Sequence, residues 1–325
     1  MIKVGVLYGG KSAEHEISLM SAKNIFDAID KNKFDPVLVK IDKSGHWQMT
    51  DIFNFDVIFP ILHGPFGEDG TIQGLLKLAD IPFVGPSVLG SAVGMDKDVM
   101  KRLLRDSEIP IGKFITVNNG GQAPSFAEAK AALTCAQNDL PLFIKPANMG
   151  SSVGISKVNN EEEYKTAIKN AFLYDSKIII EEFIPGREIE CAVLGNEDPV
   201  ASLPGEIIPS HDFYSYDAKY LDDNGAALEI PAKLDNAAIK RVQELAVKVF
   251  RVLCCEGLSR VDFFLKSNGE IIVNEINTMP GFTKISMYPK MWESSGISYT
   301  ELITRLIELA ISRSEKERKL KTSVV

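Results

Sequence analysis

The dipeptide Asn268-Gly269 lies between two apolar runs and is the strongest short hairpin signal in the chain. Both residues tolerate the positive φ angles of a type I′ turn, so the pattern predicts a tight β-hairpin. With Ser267 opposite Glu270, counting outward along both strands pairs Asp262 with Glu275. The sequence therefore predicts an antiparallel strand pair together with its register.

The same register predicts which side chains share a face, because side chains alternate along a strand. It also pairs Phe264 with Val273. One face carries the polar residues Arg260, Asp262, Glu275 and Asn277. The other carries Val261, Phe263, Leu265, Ile272 and Ile276, interrupted by Asn274, and is predicted to be a core face.

The two facing carboxylates, Asp262 and Glu275, repel each other unless a cation compensates them. Two carboxylates and the amide oxygen of Asn277 form a set of oxygen ligands that suits Mg²⁺. The alternative is a solvated polar face with an ion pair between Arg260 and Asp262. The neighbouring Pro280-Gly281 turn favours a metal site.

The remainder of the chain divides into three predicted regions. A length of 325 residues indicates more than one domain. Residues 1–95 alternate short apolar runs with a helical pattern, which predicts βαβ units and a parallel sheet. A helix is expected to start near Met95. Residues 96–186 then predict a small α+β lobe, and 187–325 a larger one with a polar loop at 210–225.

Composition excludes several classes of protein. The net charge of −8 argues against a nucleic-acid or anionic-membrane partner. No apolar run approaches the roughly 18 residues of a membrane span, and no signal segment is recognised, so a cytoplasmic protein is expected. The cysteines show no CxxC spacing, so reduced and mostly buried thiols are expected. They are Cys135, Cys191, Cys254 and Cys255.

Residues 5–12 match the phosphate-loop pattern GxxxxGK[ST]. In a true phosphate loop the first glycine follows the strand, whereas Gly5 is predicted to lie inside it. The alternative interpretation is a Gly9-Gly10 turn that opens a helix, whose amino-terminal amide groups and Glu16 face a small ligand.

A second glycine-rich segment, 145–154, follows a predicted strand that ends in Lys145. Small residues let backbone amides approach phosphate oxygens, and the hydroxyls of Ser151 and Ser152 add donors. Lys145 suits a phosphate oxygen as a point charge. Together with Lys97 and the carboxylate hairpin, this segment indicates a nucleotide site.

Segments 145–154, 260–262 and 274–281 resemble the ATP-grasp signature of the D-alanine–D-alanine ligase family, and 9–16 and 63–74 resemble that family's own amino-terminal motifs. The resemblance runs from about residue 2 to about residue 312. It implies a three-lobed ATP-grasp architecture that holds ATP between two antiparallel sheets. It also implies ATP-dependent joining of two D-alanine molecules for peptidoglycan precursors, in a homodimer.

The resemblance also implies a role for individual residues. Lys97, Lys145 and Lys219 would contact ATP phosphates, with Lys219 reaching the γ-phosphate. Two Mg²⁺ ions, for which Mn²⁺ can substitute, would bind Asp262, Glu275 and Asn277. Adenine and ribose would be held by Glu181, Ile184 and Glu188.

For the amino-acid substrates, the resemblance implies that Glu16 holds the ammonium group of the first D-alanine. Glu16 would also form a hydrogen-bonded trio with Ser151 and Tyr220 that ties loop 210–225 over the site. Ser286 would hold the carboxylate of the second D-alanine. Arg260 and the amide of Gly281 would stabilise the oxyanion, and a role for His63 stays open beside a structural one.

Two alternatives stay open. A related ATP-grasp ligase could use D-lactate as second substrate, although Tyr220 favours D-alanine, because relatives that accept D-lactate often carry histidine there. A nucleotide-binding regulator without turnover could keep the same pocket. Asn148-Met149 departs from the Glu-Gly of some members, which leaves the phosphate contacts of the loop open.

Overall fold

The computed structural model describes residues 1–133, 141–209, 226–321 and 323. These residues form three β-sheets, which we call the amino-terminal sheet, the small sheet and the large sheet.

The amino-terminal sheet is parallel, as predicted, with strand order β2-β1-β3. Its strands are β1 (Ile2–Gly9), β2 (Phe34–Ile41) and β3 (Val57–Ile61), accompanied by α1 (His15–Ala28) and α2 (Thr71–Leu78). A short 3₁₀ helix, Met49–Asn54, connects β2 to β3. Gly5 lies inside β1, so the phosphate-loop pattern does not form its loop. Gly9 has a φ of +95°, and a Cβ there would lie 2.1 Å from the Ile41 carbonyl oxygen.

Two helices lead to the small sheet, and a helix starts close to Met95 as predicted. Met95 ends α3 (Val88–Met95), and α4 begins two residues later and spans Lys97–Asp106. Asp96 between them is extended, and its carboxylate accepts hydrogen bonds from the amides of Asp98 and Val99. An aspartate in this position caps a helix, and therefore starts α4 at Lys97.

The small sheet is antiparallel, with order β4-β7-β5-β6. Its strands are β4 (Phe114–Asn118), β5 (Leu142–Pro146), β6 (Ser156–Val158) and β7 (Lys177–Glu182). Helices α5 (Phe126–Leu133) and α6 (Glu161–Ala171) share a core with it.

The large sheet is also antiparallel, with order β11-β10-β8-β12-β13 and β9 beside β8. Its strands are β8 (Arg187–Gly195), β9 (Val200–Ala201), β10 (Gly205–Pro209), β11 (Ala226–Glu229), β12 (Gly257–Leu265) and β13 (Ile271–Asn277). The helices are α7 (Asn236–Val252), α8 (Met287–Ser294) and α9 (Tyr299–Glu317).

The amino-terminal sheet and the large sheet share one hydrophobic core. Val4 and Phe59 of the former belong to the same buried cluster as Trp292 of α8 and Leu306 of α9. Burial of such side chains is the main stabilising term in folding. The small sheet has a separate hydrophobic core. The cleft between the small and the large sheet therefore lies between two separately packed cores.

The hairpin between β12 and β13 has the predicted pairing at Asp262 and Glu275 but a different turn. The turn is a three-residue connection over 267–269, closed by a hydrogen bond from the Lys266 amide to the Glu270 carbonyl oxygen at 2.9 Å. Gly269 has a φ of +82°, whereas Asn268 is not in the positive-φ region. The predicted type I′ turn is therefore wrong, since that turn requires positive φ at both residues.

A β-bulge then compensates for the longer turn. Phe264 pairs with Ile272 rather than Val273, but the register shifts between Asp262 and Phe263. The extra residue of β13 at this point is Asn274, the residue that interrupted the predicted apolar face. Beyond the bulge, Asp262 pairs with Glu275 as predicted. A bulge re-aims side chains, and here it turns Asn274 toward the cleft.

Among the described residues, no helix is long and apolar enough to cross a membrane. The cysteines Cys191, Cys254 and Cys255 are free, and the first and last of these are buried. Burial raises the pKa of Cys191 to about 12. Cys254 is exposed, contrary to the expectation for an apolar helix end, and Cys135 lies outside the described residues.

Candidate active site

A cleft between the small and large sheets collects most of the predicted nucleotide residues. It encloses about 1020 Å³ including its open mouth, which is at the upper end of the range for ligand pockets. The predicted residues that line it are Lys97, Lys145, Ser151, Ser152, Glu181, Ile184, Glu188 and Glu275.

One side of the cleft is a lysine wall, made of Lys97, Lys101, Lys145 and Glu181. Lys97 and Lys101 lie one turn apart on α4 and therefore point the same way. Glu181 on β7 lies between two ammonium groups, with its Oε1 at 2.6 Å from Lys101 Nζ and its Oε2 at 2.6 Å from Lys145 Nζ. Lys97 Nζ donates to the Met149 carbonyl oxygen at 2.7 Å and lies 3.5 Å from Glu275 Oε2.

The ion pairs of the lysine wall set the charge states of its members. Burial alone would raise the pKa of Glu181, but the charges of Lys101 and Lys145 outweigh burial and lower the pKa to about 2. Burial would likewise lower the pKa of Lys145, but Glu181, Glu275 and Glu188 outweigh it and raise that pKa. These ion pairs therefore favour the charged forms of Glu181 and Lys145.

Lys101 was missed by sequence reasoning. The signal available was its spacing of four residues from Lys97 on one helix, which is common on solvated faces as well. The carboxylate of Glu181, predicted to hold adenine or ribose, is engaged by the two lysines. Aromatic rings lie farther along the cleft, where Phe143 stacks on Phe183 with ring centroids 6.0 Å apart.

The glycine-rich loop after β5 joins the lysine wall to the amino-terminal sheet. Ser151 and Ser152 have positive φ angles of 48° and 62°. Residues other than glycine rarely adopt this left-handed backbone conformation. Such local strain is typical of functional sites. The Ser151 hydroxyl donates a short hydrogen bond to Glu14 Oε1.

The predicted pairing of Ser151 with Glu16 is therefore corrected to Glu14. Glu14 is buried, at 6% exposure, and precedes the first turn of α1. The Glu16 side chain is 63% exposed and forms an ion pair with Lys43 at 2.7 Å. The hydrogen bond and charge of Lys43 lower the pKa of Glu16. Both acids belong to one short motif, and only the orientation of α1 distinguishes them.

On the other side of the cleft lies Glu275 of β13, which is one end of an acid row that continues across the large sheet through Asp262 of β12 to Glu190 of β8. Asp262 pairs in register with both of the others. Arg260 donates to both carboxylate oxygens of Asp262, each at 2.7 Å. The amide nitrogen of Asn277 donates to Asp262 Oδ2 at 3.0 Å. The predicted polar face is thus present, and Asp262, Glu275 and Asn277 lie together.

The chemistry of this donor set fits a hard divalent cation. Asp262 and Glu275 side chains remain 14% and 24% exposed, and they supply oxygen ligands on neighbouring strands. Within the described ranges, no group of three or more His, Cys, Asp and Glu side chains is arranged to hold a metal ion by itself. A site here needs an amide oxygen, water or phosphate to complete it, as Mg²⁺ sites commonly do.

Gly281 and Ser286 lie in the loop that follows β13, where hydrogen bonds support the backbone. The Ser286 hydroxyl accepts from the Thr283 amide at 2.9 Å. A Cβ on Gly281 would lie 2.8 Å from that same hydroxyl, so any larger residue would displace Ser286. The Ser21 hydroxyl of α1 accepts from the Phe282 amide at 3.1 Å.

Comparisons with known proteins show matches along nearly the whole chain. The family model described as D-ala D-ala ligase C-terminus matches residues 103–308, and D-ala D-ala ligase N-terminus matches 3–55 and 49–86. A D-alanine–D-alanine ligase of Oceanobacillus iheyensis is 51% identical, covering 99% of this chain and 98% of its own. The chain belongs to the D-alanine–D-alanine ligase family.

Solved structures of family members share the whole fold. The D-alanine–D-alanine ligase of Coxiella burnetii gives a TM-score of 0.86 at 38% identity, covering 98% of this chain and 96% of its own. The Bacillus anthracis enzyme complexed with ATP gives 0.82 at 27% identity, covering 98% of this chain and 100% of its own. The three-lobed ATP-grasp architecture predicted from the sequence is therefore confirmed.

This chain is shorter than the Oceanobacillus relative. The alignment to the Oceanobacillus relative spans 364 positions, more than the 325 residues of the chain. The amino-terminal family model matches in two pieces that overlap at residues 49–55. The short 3₁₀ helix between β2 and β3 lies at this point.

His63 follows β3 and is buried near Glu14. Its Nδ1 lies 3.1 Å from the Met279 carbonyl oxygen and 3.6 Å from Glu68 Oε1. Burial alone would lower the pKa of His63, but the hydrogen bond to Glu68 and the charge of Glu14 outweigh it, so the pKa is raised. Lys219, Tyr220 and loop 210–225 lie outside the described residues.

Proposed function

We propose that this chain joins two D-alanine molecules into D-alanyl-D-alanine, with conversion of ATP to ADP and phosphate. The observation that carries this proposal is the cleft itself, where three lysines lie on one side and Glu275, the end of the acid row, lies on the other, 3.5 Å from Lys97. Membership of the ligase family supports the same reaction. The product would enter peptidoglycan precursor synthesis.

The first step transfers the γ-phosphoryl group of ATP to the carboxylate of the first D-alanine, forming an acyl phosphate and ADP. A carboxylate is a weak nucleophile that meets a polyanion, so positioning and charge neutralisation are what the protein must supply. Lys97 and Lys145 would contact the phosphates, and loop residues Ser151 and Ser152 would add donors. Glu14, rather than Glu16, would hold the ammonium group of the first D-alanine.

In the second step, the amine of the second D-alanine attacks the acyl phosphate carbonyl, and phosphate leaves. Negative charge develops on the carbonyl oxygen, and donors fixed in advance stabilise it most effectively. Arg260 and the Gly281 amide would serve as these donors. Ser286 would bind the carboxylate of the second substrate.

The acid row fits Mg²⁺, which Asp262, Glu275 and Asn277 would hold, with Mn²⁺ as a substitute. When bound, the metal supplies charge neutralisation on the phosphates. Lys97 lies 3.5 Å from Glu275, so protein cations and metal ligands meet at the same place.

The remaining parts of the proposal concern organisation. We place the substrate-binding domain at 1–95, the small ATP-grasp lobe at 96–186 and the large one at 187–325. The protein would act in the cytoplasm, since the reaction is biosynthetic and uses ATP, and as the homodimer that the family resemblance implies.

Incubation of the protein with ATP, Mg²⁺ and D-alanine tests the function directly. Mass spectrometry should detect D-alanyl-D-alanine together with an equal amount of ADP. When D-lactate or D-serine is added beside D-alanine, the mixed products D-alanyl-D-lactate and D-alanyl-D-serine should be much less abundant than D-alanyl-D-alanine. If ATP binds but saturating D-alanine yields no ADP, the chain is a nucleotide-binding regulator instead.

A further inference from the structure

The large sheet adds a third acid to the two that were predicted. Glu190 on β8 lies opposite Asp262, which lies opposite Glu275, so three carboxylates cross three neighbouring strands in one row. Directly paired residues on adjacent strands have Cβ atoms about 4.5–5.5 Å apart. Three like charges at this spacing oppose folding unless cations compensate them.

A single guanidinium group links two members of this row. Arg260 Nε lies 2.9 Å from Glu190 Oε2 and 2.7 Å from Asp262 Oδ1, and Arg260 Nη2 lies 2.7 Å from Asp262 Oδ2. The Glu190 side chain is 6% exposed and that of Arg260 16%. A carboxylate this buried is costly without a charged partner, so Arg260 and Glu190 stabilise each other.

Asp262 gives both of its oxygens to Arg260, so an ion bound to the same carboxylate would lie close to the guanidinium group. Repulsion between the two cations would weaken the pair of Arg260 with Asp262, which is part of the anchor of Arg260. Glu190 is the second anchor, and it lies outside the proposed metal ligands. We propose that Glu190 is a positioning residue that holds Arg260 in the site while Asp262 binds the metal ion.

This inference rests on the metal site and the role of Arg260 given under the proposed function. It predicts that loss of the Glu190 charge leaves Arg260 paired with Asp262 alone, so the ion must compete harder for Asp262. Glu190→Gln should therefore weaken metal binding. A direct field effect of the Glu190 charge on the ion would act in the same direction, but it would not depend on Arg260.

A double-mutant cycle separates the two causes. Isothermal titration measures binding of AMP-PNP, which is not turned over, with and without Mn²⁺. The factor by which Mn²⁺ tightens AMP-PNP binding should fall roughly fivefold or more in Glu190→Gln. In an Arg260→Met background, the same change should alter that factor by less than about twofold. Arg260→Gln provides a second background if Arg260→Met does not fold.

Glu206→Gln is the matched control, because Glu206 is also buried on the large sheet and also pairs with an arginine, Arg187, at 2.5 Å. It should leave the Mn²⁺ factor unchanged. An equal loss in both Arg260 backgrounds, or no loss in Glu190→Gln, would overturn the positioning role while the proposed function stands. If Mn²⁺ does not tighten AMP-PNP binding to the wild type, the metal site and the positioning role both fail.

Discussion

The two walls of the cleft differ in how they manage buried charge. In the lysine wall, the side chains of Lys101, Glu181 and Lys145 are 3%, 6% and 12% exposed, and each carboxylate oxygen of Glu181 faces its own ammonium group. In the acid row, the Asp262 and Glu275 side chains are 14% and 24% exposed, whereas that of Glu190 is 6% exposed. Prearranged charges cost little reorganisation when the substrate arrives. The charges of the lysine wall are thus arranged in advance, whereas two carboxylates of the acid row are more accessible to a further cation.

The largest expected effect comes from removing a member of the prearranged wall. Lys145→Ala should lower kcat/KM for ATP by about 10²- to 10³-fold, because a phosphate loses a fixed cation. Steady-state ADP release measures this. Lys11→Ala is the control, since Lys11 is exposed and contacts the Phe66 ring. If Lys11→Ala were the more damaging change, the phosphate-loop interpretation would replace the present one.

A change in the acid row should act on turnover and leave the fold intact. Glu275→Gln should reduce kcat by about 10²-fold. The neutral amide would bind the metal ion less tightly than the carboxylate, so the ion would neutralise the phosphates less effectively. Circular dichroism and thermal unfolding should be close to the wild type. Glu270→Gln, on the exposed turn of the same hairpin, should have normal kcat. Wild-type turnover in Glu275→Gln would remove Glu275 from the metal site.

The glycine-rich loop contacts the amino-terminal region through Ser151 and Glu14. Mutation can test which acid matters for the first D-alanine. Glu14→Gln should raise KM for the first D-alanine about 10- to 100-fold, because a charged hydrogen-bond partner is lost. Glu16→Gln should stay within about twofold, since Glu16 is exposed and paired with Lys43. Initial rates at low D-alanine concentration give both values, and the opposite ranking would restore Glu16.

Lys101 tests how far the prearranged wall depends on the second cation of Glu181. Lys101→Met should raise KM for ATP about tenfold, because Glu181 keeps only one cation and holds Lys145 less rigidly. Lys101→Arg should recover most of this loss, since the charge is retained. A normal KM for ATP in a folded Lys101→Met variant would show that Lys145 needs no support.

The smallest effect is a pH dependence of stability. The pKa of Glu181 falls from 4.5 to about 2 in the folded chain, so its ion pairs stabilise the fold above about pH 4.5, and this contribution disappears as the pH falls to about 2. The wild-type advantage over Glu181→Gln in free energy of unfolding should therefore be full at pH 7 and slightly smaller at pH 4. Urea unfolding at both pH values measures it. An advantage that grows on acidification would contradict the lowered pKa.

Much of the site could be predicted because its clues are local. The alternation of β12 and β13 placed Asp262 and Glu275 on one face, and the pairing near the acids holds although the turn is one residue longer than predicted. Asn274 absorbs the difference as a bulge. The turn type could not be predicted, because Asn-Gly is compatible with several hairpins and packing chooses among them.

Local sequence patterns were enough to predict the parallel and antiparallel strands, the polar face of the hairpin and the glycine-rich loop with its lysines. These features depend on neighbours a few residues away. Three contacts became visible only in the folded chain: Glu14 with Ser151, Lys101 with Glu181, and Glu190 with the acid row. Such contacts join elements far apart in the chain, and they depend on how each helix or strand is turned when its apolar side is buried.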